Sequence, residues 1–405
     1  SRGRREVDAS GLVAVVGAAA AVVASIAAVA IVKPTRRASG LMRLEEVRAL
    51  FRGQVAALRE HQVALGTSCL ERAPKEWKYS DVVPMLNRQG WLFESPQEIE
   101  AVLLEPLRVL EEGPIQSRSD ARLFAGLDLA GPITYSSALR LTYPDVDYFN
   151  GTIFRPTGVR PVLGDCLTIT CEIAHYFDFL DTTEVLAFEE SQGYSSLGLR
   201  KNIHDPFDLT GRVASLGVLT LTVVKTDENS ATFFMHKRSG RFVVGDALYH
   251  VVPAGEFTPA SISPTEAEAD FSIWRNIMRE YAEEFLGMPD AQGRGGRPVN
   301  YERDEPFTKL DSARVDGSVS IRVFGLALDP LSLKPELLTV AIFKKDAFDD
   351  IFGGRLGETD EGVLIERIPF EERSLRRFLE GKETRLGAQA CLILAWRNRF
   401  ELGIC

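Results

Sequence analysis

Arg279-Glu280-Tyr281-Ala282-Glu283-Glu284 is the stretch from which the fold is predicted. An α-helix turns once in about 3.6 residues, so Glu280 lies beside Glu283 and Glu284 and the three acids share one face. Apolar side chains recur at spacings of three and four around them: Ile273, Trp274, Ile277, Met278, Tyr281 and Phe285. The pattern predicts an amphipathic helix with a broad buried face and a carboxylate cluster beside it.

Three neighbouring carboxylates repel one another, and two environments relieve that repulsion. A divalent cation is one, because carboxylate oxygens are the ligands that Mg²⁺ prefers, usually together with substrate phosphates. Full solvation of an acidic helix face is the other. The spacing alone leaves both interpretations open.

The run Arg-Glu-aromatic-x-Glu-Glu resembles the second half of the Nudix box, G-x5-E-x7-R-E-U-x-E-E-x-G-U, in which U is bulky and aliphatic. Residues 249–256 occupy the place of that family's strand and glycine turn, and residues 216–224 and 231–238 are similar to its opening hairpin. The resemblance implies that Glu280, Glu283 and Glu284 bind Mg²⁺ or Mn²⁺ and that Arg279 orients them. It also implies that Gly255 contacts a nucleotide-type ligand.

Four positions depart from the family pattern. Phe271 stands where the box has its first glutamate, and Thr265 stands at the leading glycine. Leu286 occupies the second glycine position, and Gly287 follows one residue late. The spacing does not decide which of three nearby acids supplies the missing carboxylate: Asp270, Glu268 or Glu266.

Length and composition limit the organisation. A chain of 405 residues, 45% hydrophobic and 26% charged, predicts one membrane element and two or three folded regions. We divide it into an anchor (1–40), a helical region (41–130), a β-rich region (131–210) and a Nudix-like domain (211–405). The net charge of −10 gives no electrostatic footprint for nucleic acid. Five cysteines without a C-x-x-C pair predict reduced thiols.

The amino-terminal segment contains residues 11–32 without a single charge. A run of this length crosses a hydrocarbon core of about 30 Å as a helix, so we predict a single-pass membrane anchor. A signal peptide is the alternative, although its apolar core is usually shorter. Lys33, Arg36, Arg37 and Arg43 follow the span and predict a cytoplasmic body.

The middle of the chain is predicted from periodicity. Residues 41–65 form an amphipathic helix, which either pairs with a second copy as a homo-oligomeric stalk or packs on its own domain. Ser95 and Glu98 match a capping box, which predicts a helix over 95–110. Alternating runs predict strands at 137–142, 166–174 and 183–188.

The last part of the chain mixes both element types. Strands are predicted at 318–328 and 337–343, and helices at 371–379 and 388–396. Between them and the acidic helix, Arg294 and Arg297 lie in a glycine-rich loop that either closes over phosphates or stays in solvent. The mixture predicts an α+β fold, and the resemblance makes it an α/β/α sandwich with a mixed sheet.

The function that the resemblance implies is that of a membrane-anchored Nudix-type pyrophosphohydrolase acting on a nucleoside diphosphate linked to another moiety. Phe271 favours an alternative, a nucleotide sensor without turnover. A membrane helix ahead of such a domain is also similar to the Nudix-bearing effectors of cyclic-nucleotide anti-phage systems. Fold alone does not choose among the three, so the choice depends on the site.

Overall fold

The computed structural model describes most of the chain: residues 44–80, 82–108, 133–162, 165–193, 198–227, 230–238, 248–260, 264–289, 299–353, 358–359, 362–381 and 383–404. Its helices are α1 (Leu44–Arg72), α2 (Tyr135–Thr142), α3 (Tyr176–Phe179), α4 (Val185–Ser191), α5 (Pro264–Asp270), α6 (Ile273–Glu284), α7 (Phe307–Val315), α8 (Lys345–Phe352), α9 (Glu372–Leu379) and α10 (Leu386–Arg397). A π-helical turn, Leu180–Glu184, joins α3 to α4.

Two β-sheets accompany these helices. The strands are β1 (Leu92–Glu98), β2 (Val102–Leu104), β3 (Thr152–Val162), β4 (Cys166–His175), β5 (Gly217–Lys225), β6 (Ala231–Arg238), β7 (Tyr249–Val251), β8 (Ala254–Glu256), β9 (Val319–Leu328), β10 (Pro335–Lys344), β11 (Glu358–Thr359) and β12 (Gly362–Pro369).

The larger sheet has the order β1-β9-β10-β5-β6-β12-β11, with β7 paired to β6 and β8 paired to β5. Strands β5 and β10 run parallel, from Gly217 opposite Glu336 to Lys225 opposite Lys344, and the other pairs are antiparallel. The smaller sheet, β2-β4-β3, is also mixed. The predicted α+β class with a mixed sheet is therefore confirmed.

Helices cover both faces of the larger sheet. Side chains of a strand point alternately to its two faces, so Val218 packs with α6, α7 and α8, whereas Leu219 packs with α9 and α10. Strand β5 is buried over its first eight residues, as expected of a central parallel strand. The sheet is thus the middle of three layers.

Helix α1 packs on its own chain. Its buried stripe, Val47, Phe51, Val55 and Leu58, joins one cluster with residues of α2 and α4. The smaller sheet packs against the larger one, because Phe154 on β3 and Ile277 on α6 share a second cluster. The helix predicted over 41–65 is confirmed from Leu44 onward and extends to Arg72, whereas residues 41–43 lie outside the described residues.

Three local predictions are wrong. The helix predicted over 95–110 is instead β1, a 3-10 turn and β2, because pairing with β9 overrides the local capping pattern. The strand predicted at 137–142 is α2, in which Thr134 Oγ1 caps the helix by accepting from Ser137 N–H. The strand predicted at 183–188 lies in the π-helical turn and α4.

The structure bears on the predicted thiols but not on the predicted membrane span. None of the described helices combines the length and apolarity that crossing a bilayer requires, and the span predicted at 11–32 lies outside the described residues. The four cysteines that are described, Cys69, Cys166, Cys171 and Cys391, form no disulfide with one another.

Candidate functional site

Helix α6 carries the predicted acids and is anchored at both ends. Ser272 caps its first turn by accepting from Arg275 N–H. In its last turn, the Tyr281 hydroxyl shares a hydrogen bond of 2.7 Å with Thr222 Oγ1 on β5. Tyr281 and Ile277 are buried with the helix's other apolar residues, so the predicted buried face is confirmed. These contacts orient the three glutamates relative to the sheet.

Glu284 points into the protein. Only 2% of the residue is exposed, and its Oε2 accepts a hydrogen bond of 3.0 Å from the Ala254 backbone N–H on β8. The Nδ1 atom of His236 on β6 lies 3.7 Å from Oε1, beyond hydrogen-bond distance. The Glu284 carboxylate thus ties the end of α6 to β8, the strand that carries the predicted ligand contact Gly255.

Glu280 lies directly against Gly255. A Cβ atom built on Gly255 would collide with both carboxylate oxygens of Glu280, so a larger residue at this position would displace the Glu280 carboxylate. Glu280 is half-buried, as is Glu283 one turn later. The structure thereby brings together two of the predicted site residues, Gly255 and Glu280, that lie on different elements.

Arg279 is buried within a separate network. It donates to Asp270 Oδ1 at 3.1 Å and to the Tyr301 hydroxyl at 2.7 Å, and it also donates to the Thr258 carbonyl. Tyr301 in turn donates to Asp270 at 2.6 Å. Burial opposes the charge, but Tyr301 and Asp270 outweigh it and hold the pKa of the guanidinium above its usual value. Arg279 therefore fixes the segment that follows β8.

Phe271 belongs to an aromatic cluster. Its ring lies 5.0 Å from that of Phe154 and stacks on that of Phe257 at 5.5 Å, measured between centroids. Leu286, at the second glycine position of the family pattern, packs on the same hydrophobic cluster. Both departures are therefore packing residues. Of the acids considered as replacements, Asp270 is held by Arg279 and the Ala260 N–H.

The fit to a metal can be judged from the donors. Among the side chains that the structure describes, no three His, Cys, Asp or Glu residues converge as a ready-made metal cage. Mg²⁺ is commonly held by one or two carboxylates together with ligand phosphates. The half-buried Glu280 and Glu283 fit that arrangement. Arg294 and Arg297, predicted to contact phosphates, lie outside the described residues.

Sequence reasoning missed the partners of the predicted residues. Tyr301 follows Arg279 by 22 residues, and no spacing rule connects them. His236 looked like an ordinary strand residue. Comparison of the sequence with models of known families and with curated proteins gave no match.

Proposed function

We propose that this chain is a membrane-anchored, Nudix-like protein that uses Mg²⁺ or Mn²⁺ to hydrolyse a nucleoside diphosphate linked to another moiety. The observation that supports the proposal is the Glu280 carboxylate resting on Gly255. In the resembled family the acid helix and the glycine turn form one site, and here they are in contact across 24 intervening residues of chain.

Each residue has a distinct task in this mechanism. Glu280 and Glu283 hold the cation, and Glu284 keeps the end of α6 on β8 through the Ala254 N–H. Arg279 fixes the segment after β8 by its bond to the Thr258 carbonyl. A bound Mg²⁺ would polarise a phosphoryl oxygen and lower the pKa of a bound water.

The test is metal binding and turnover by the full chain. Glu280→Gln and Glu283→Gln should weaken Mg²⁺ binding in calorimetry and lower kcat on a panel of nucleoside diphosphate derivatives by on the order of 10²-fold. Glu71→Gln, an exposed carboxylate on α1, is the matched control and should change neither. Unchanged Mg²⁺ affinity in both α6 variants would show that the acids are a solvated face.

A nucleotide sensor without turnover is the second candidate, and Phe271 favours it. The ring fills an aromatic cluster at the position where the family has a glutamate, so the site has one box acid fewer. Mg²⁺-dependent nucleotide binding with no hydrolysis across the panel would support the sensor. Phe271→Glu should then destabilise the protein rather than create activity, because it buries a charge among aromatic rings.

The membrane part of the proposal is tested separately. Full-length protein should sediment with membranes and resist carbonate extraction, because residues 11–32 are long and apolar enough to span a bilayer. A chain beginning at Leu41 is the control and should be released. Soluble full-length protein of intact mass would refute the anchor, and loss of about the first thirty residues would indicate a signal peptide.

A further inference from the structure

A cavity of about 450 Å³ lies on the far side of the central sheet from α6. Its walls come from α1, the π-helical turn, β8, the start of β10 and the start of α10. Seven charged residues contribute to the lining: Arg59, Glu184, Glu256, Asp329, Lys334, Glu336 and Arg385. The volume is in the range of small-molecule sites, about 300–1,000 Å³.

Strand alternation separates this cavity from the acids of α6. Gly255 faces α6, where it contacts Glu280. The next side chain, Glu256, points to the opposite face of the sheet, where it contacts Ser215 and Lys334. The cavity is therefore a second site, and what occupies it is independent of the proposed hydrolysis.

Glu336 is the residue in this cavity whose surroundings most strongly indicate a bound ligand. It is only 8% exposed, and its carboxylate has no hydrogen bond or salt bridge within the described part of the chain. The carboxylate lies over Gly387 at the start of α10, where any Cβ atom would collide with Oε2. A buried carboxylate without a donor is costly, and this one lines an open cavity.

Glu184 offers a second carboxylate in the same cavity. It too makes no hydrogen bond or salt bridge to a described residue, and burial raises its pKa above the usual value. The other acids are engaged, since Glu256 is paired with Lys334 and Asp329 accepts from the Leu331 and Ser332 N–H groups. Within the described part of the chain, two carboxylates, Glu184 and Glu336, thus face the cavity without a hydrogen-bond donor.

The lining indicates the class of ligand. The acids Glu184, Glu256, Asp329 and Glu336 outnumber the bases Arg59, Lys334 and Arg385, which favours a cation. Three tyrosine rings also line the cavity: Tyr135, Tyr148 and Tyr176. Their faces suit methylene and ammonium groups.

We propose that this cavity binds an aliphatic diamine, with one ammonium group on the Glu336 carboxylate and the other on Glu184. Each ammonium group supplies the hydrogen-bond donors that these carboxylates lack. The neutral rings and the methylene chain fill the space between them.

Binding should depend on pH through Glu336. Burial raises its pKa to about 7, with Lys334 and Arg385 opposing the rise and Asp329 and Glu256 adding to it. A proton on Glu336 competes with the ammonium group, so affinity should fall about tenfold from pH 8 to pH 6. Protonation of Glu184, or of His250, which also lines the cavity, would act in the same direction. These groups remain in Glu336→Gln, so that variant isolates the contribution of Glu336.

The experiment is calorimetry of the full chain with putrescine, using butane-1,4-diol as the neutral probe of the same length. Putrescine should bind and the diol should not. Glu336→Gln should weaken putrescine binding at least tenfold and remove most of the pH dependence. Glu184→Gln should weaken it as well, whereas Glu280→Gln on the other face should leave it unchanged.

The melting temperature serves as the control for correct folding. It should not fall in Glu336→Gln, because the change removes an unpaired buried charge. Equal affinity of wild type and Glu336→Gln for putrescine would overturn the proposal. So would equal binding of putrescine and the diol, since the cavity would then select no charge. Loss of hydrolysis in Glu280→Gln with putrescine binding intact separates this result from the proposed function.

Discussion

Two buried carboxylates lie on opposite sides of the central sheet, and their surroundings differ. Glu284 accepts from a backbone N–H and lies beside His236, whereas Glu336 lines a cavity with no donor among the described residues. Equal burial therefore has opposite energetic consequences. A charge with a fixed donor stabilises its position, and a charge without one destabilises the free protein until a ligand arrives.

The largest change in the free energy of unfolding is expected at the buried ion pair between Arg279 and Asp270. Arg279→Met leaves the Asp270 carboxylate buried without its cation, and the loss of one partner of a buried ion pair typically costs about 3–5 kcal/mol. Urea unfolding followed by tryptophan fluorescence measures it. Arg373→Met, an exposed arginine on α9, should change stability by less than about 0.5 kcal/mol. Similar values for both variants would mean that the Arg279 network contributes nothing.

Glu336→Gln should have the opposite sign. The folded-state pKa of Glu336 is raised from 4.5 to about 7, so the folded protein binds more protons between these values and loses stability as pH rises through that window. Above pH 7 the full penalty, about 3 kcal/mol, is present, and glutamine removes it. Unfolding at pH 8 should show this gain and unfolding at pH 5 much less. A pH-independent effect would contradict the assignment.

Glu284→Gln makes the same change to the carboxylate that has a hydrogen-bond donor, so its effect can be set directly beside that of Glu336→Gln. The Ala254 N–H then donates to a neutral oxygen rather than to a charged one, which should destabilise the protein by about 1 kcal/mol. The thermal midpoints of the two glutamine variants at pH 8 should therefore move in opposite directions. A gain in stability for Glu284→Gln would show that its hydrogen bond does not offset its burial.

The smallest effects come from two glycines that differ in their neighbours. Gly53→Ala adds a methyl to an exposed position of α1 with nothing within 4 Å, and should stabilise the helix by about 0.5–1 kcal/mol. Gly387→Ala places its methyl against Glu336 and should lose that gain. Putrescine titration should show weaker binding only for Gly387→Ala, and an equal loss in both would argue against the cavity.

Elements with an unbroken period were predictable from the sequence. Strand β6 was predicted at its observed bounds, and α6 within a residue or two, because alternation and helical spacing are local properties. One of the three errors arose where a local signal competes with long-range pairing. Ser95 and Glu98 satisfy a helix cap, yet their segment contains Pro96 and pairs with β9, and no local rule anticipates that partner.

The candidate site on α6 was partly predictable for the same reason. The glycine turn and the acid helix follow one another in the chain, so their contact is an expectation of the family order. The cavity was not predictable, because its walls come from elements spread between α1 and α10. Glu336 reads as an ordinary polar residue at a strand start, and its isolation depends on Gly387.

The pairing of β1 with β9 governs how the chain assembles. More than half of the chain separates Leu92 from its partner Gly325. Strand β5 likewise pairs with β10, which comes much later in the chain. Sheets that close over such distances form slowly, because loop-closure entropy is lost before the contacts form. During synthesis β5, a strand that is almost wholly buried in the folded protein, is complete before its parallel neighbour exists, with an edge open to other chains. Refolding yield should therefore decline with protein concentration, because the open edge of β5 can pair with other chains before β10 covers it.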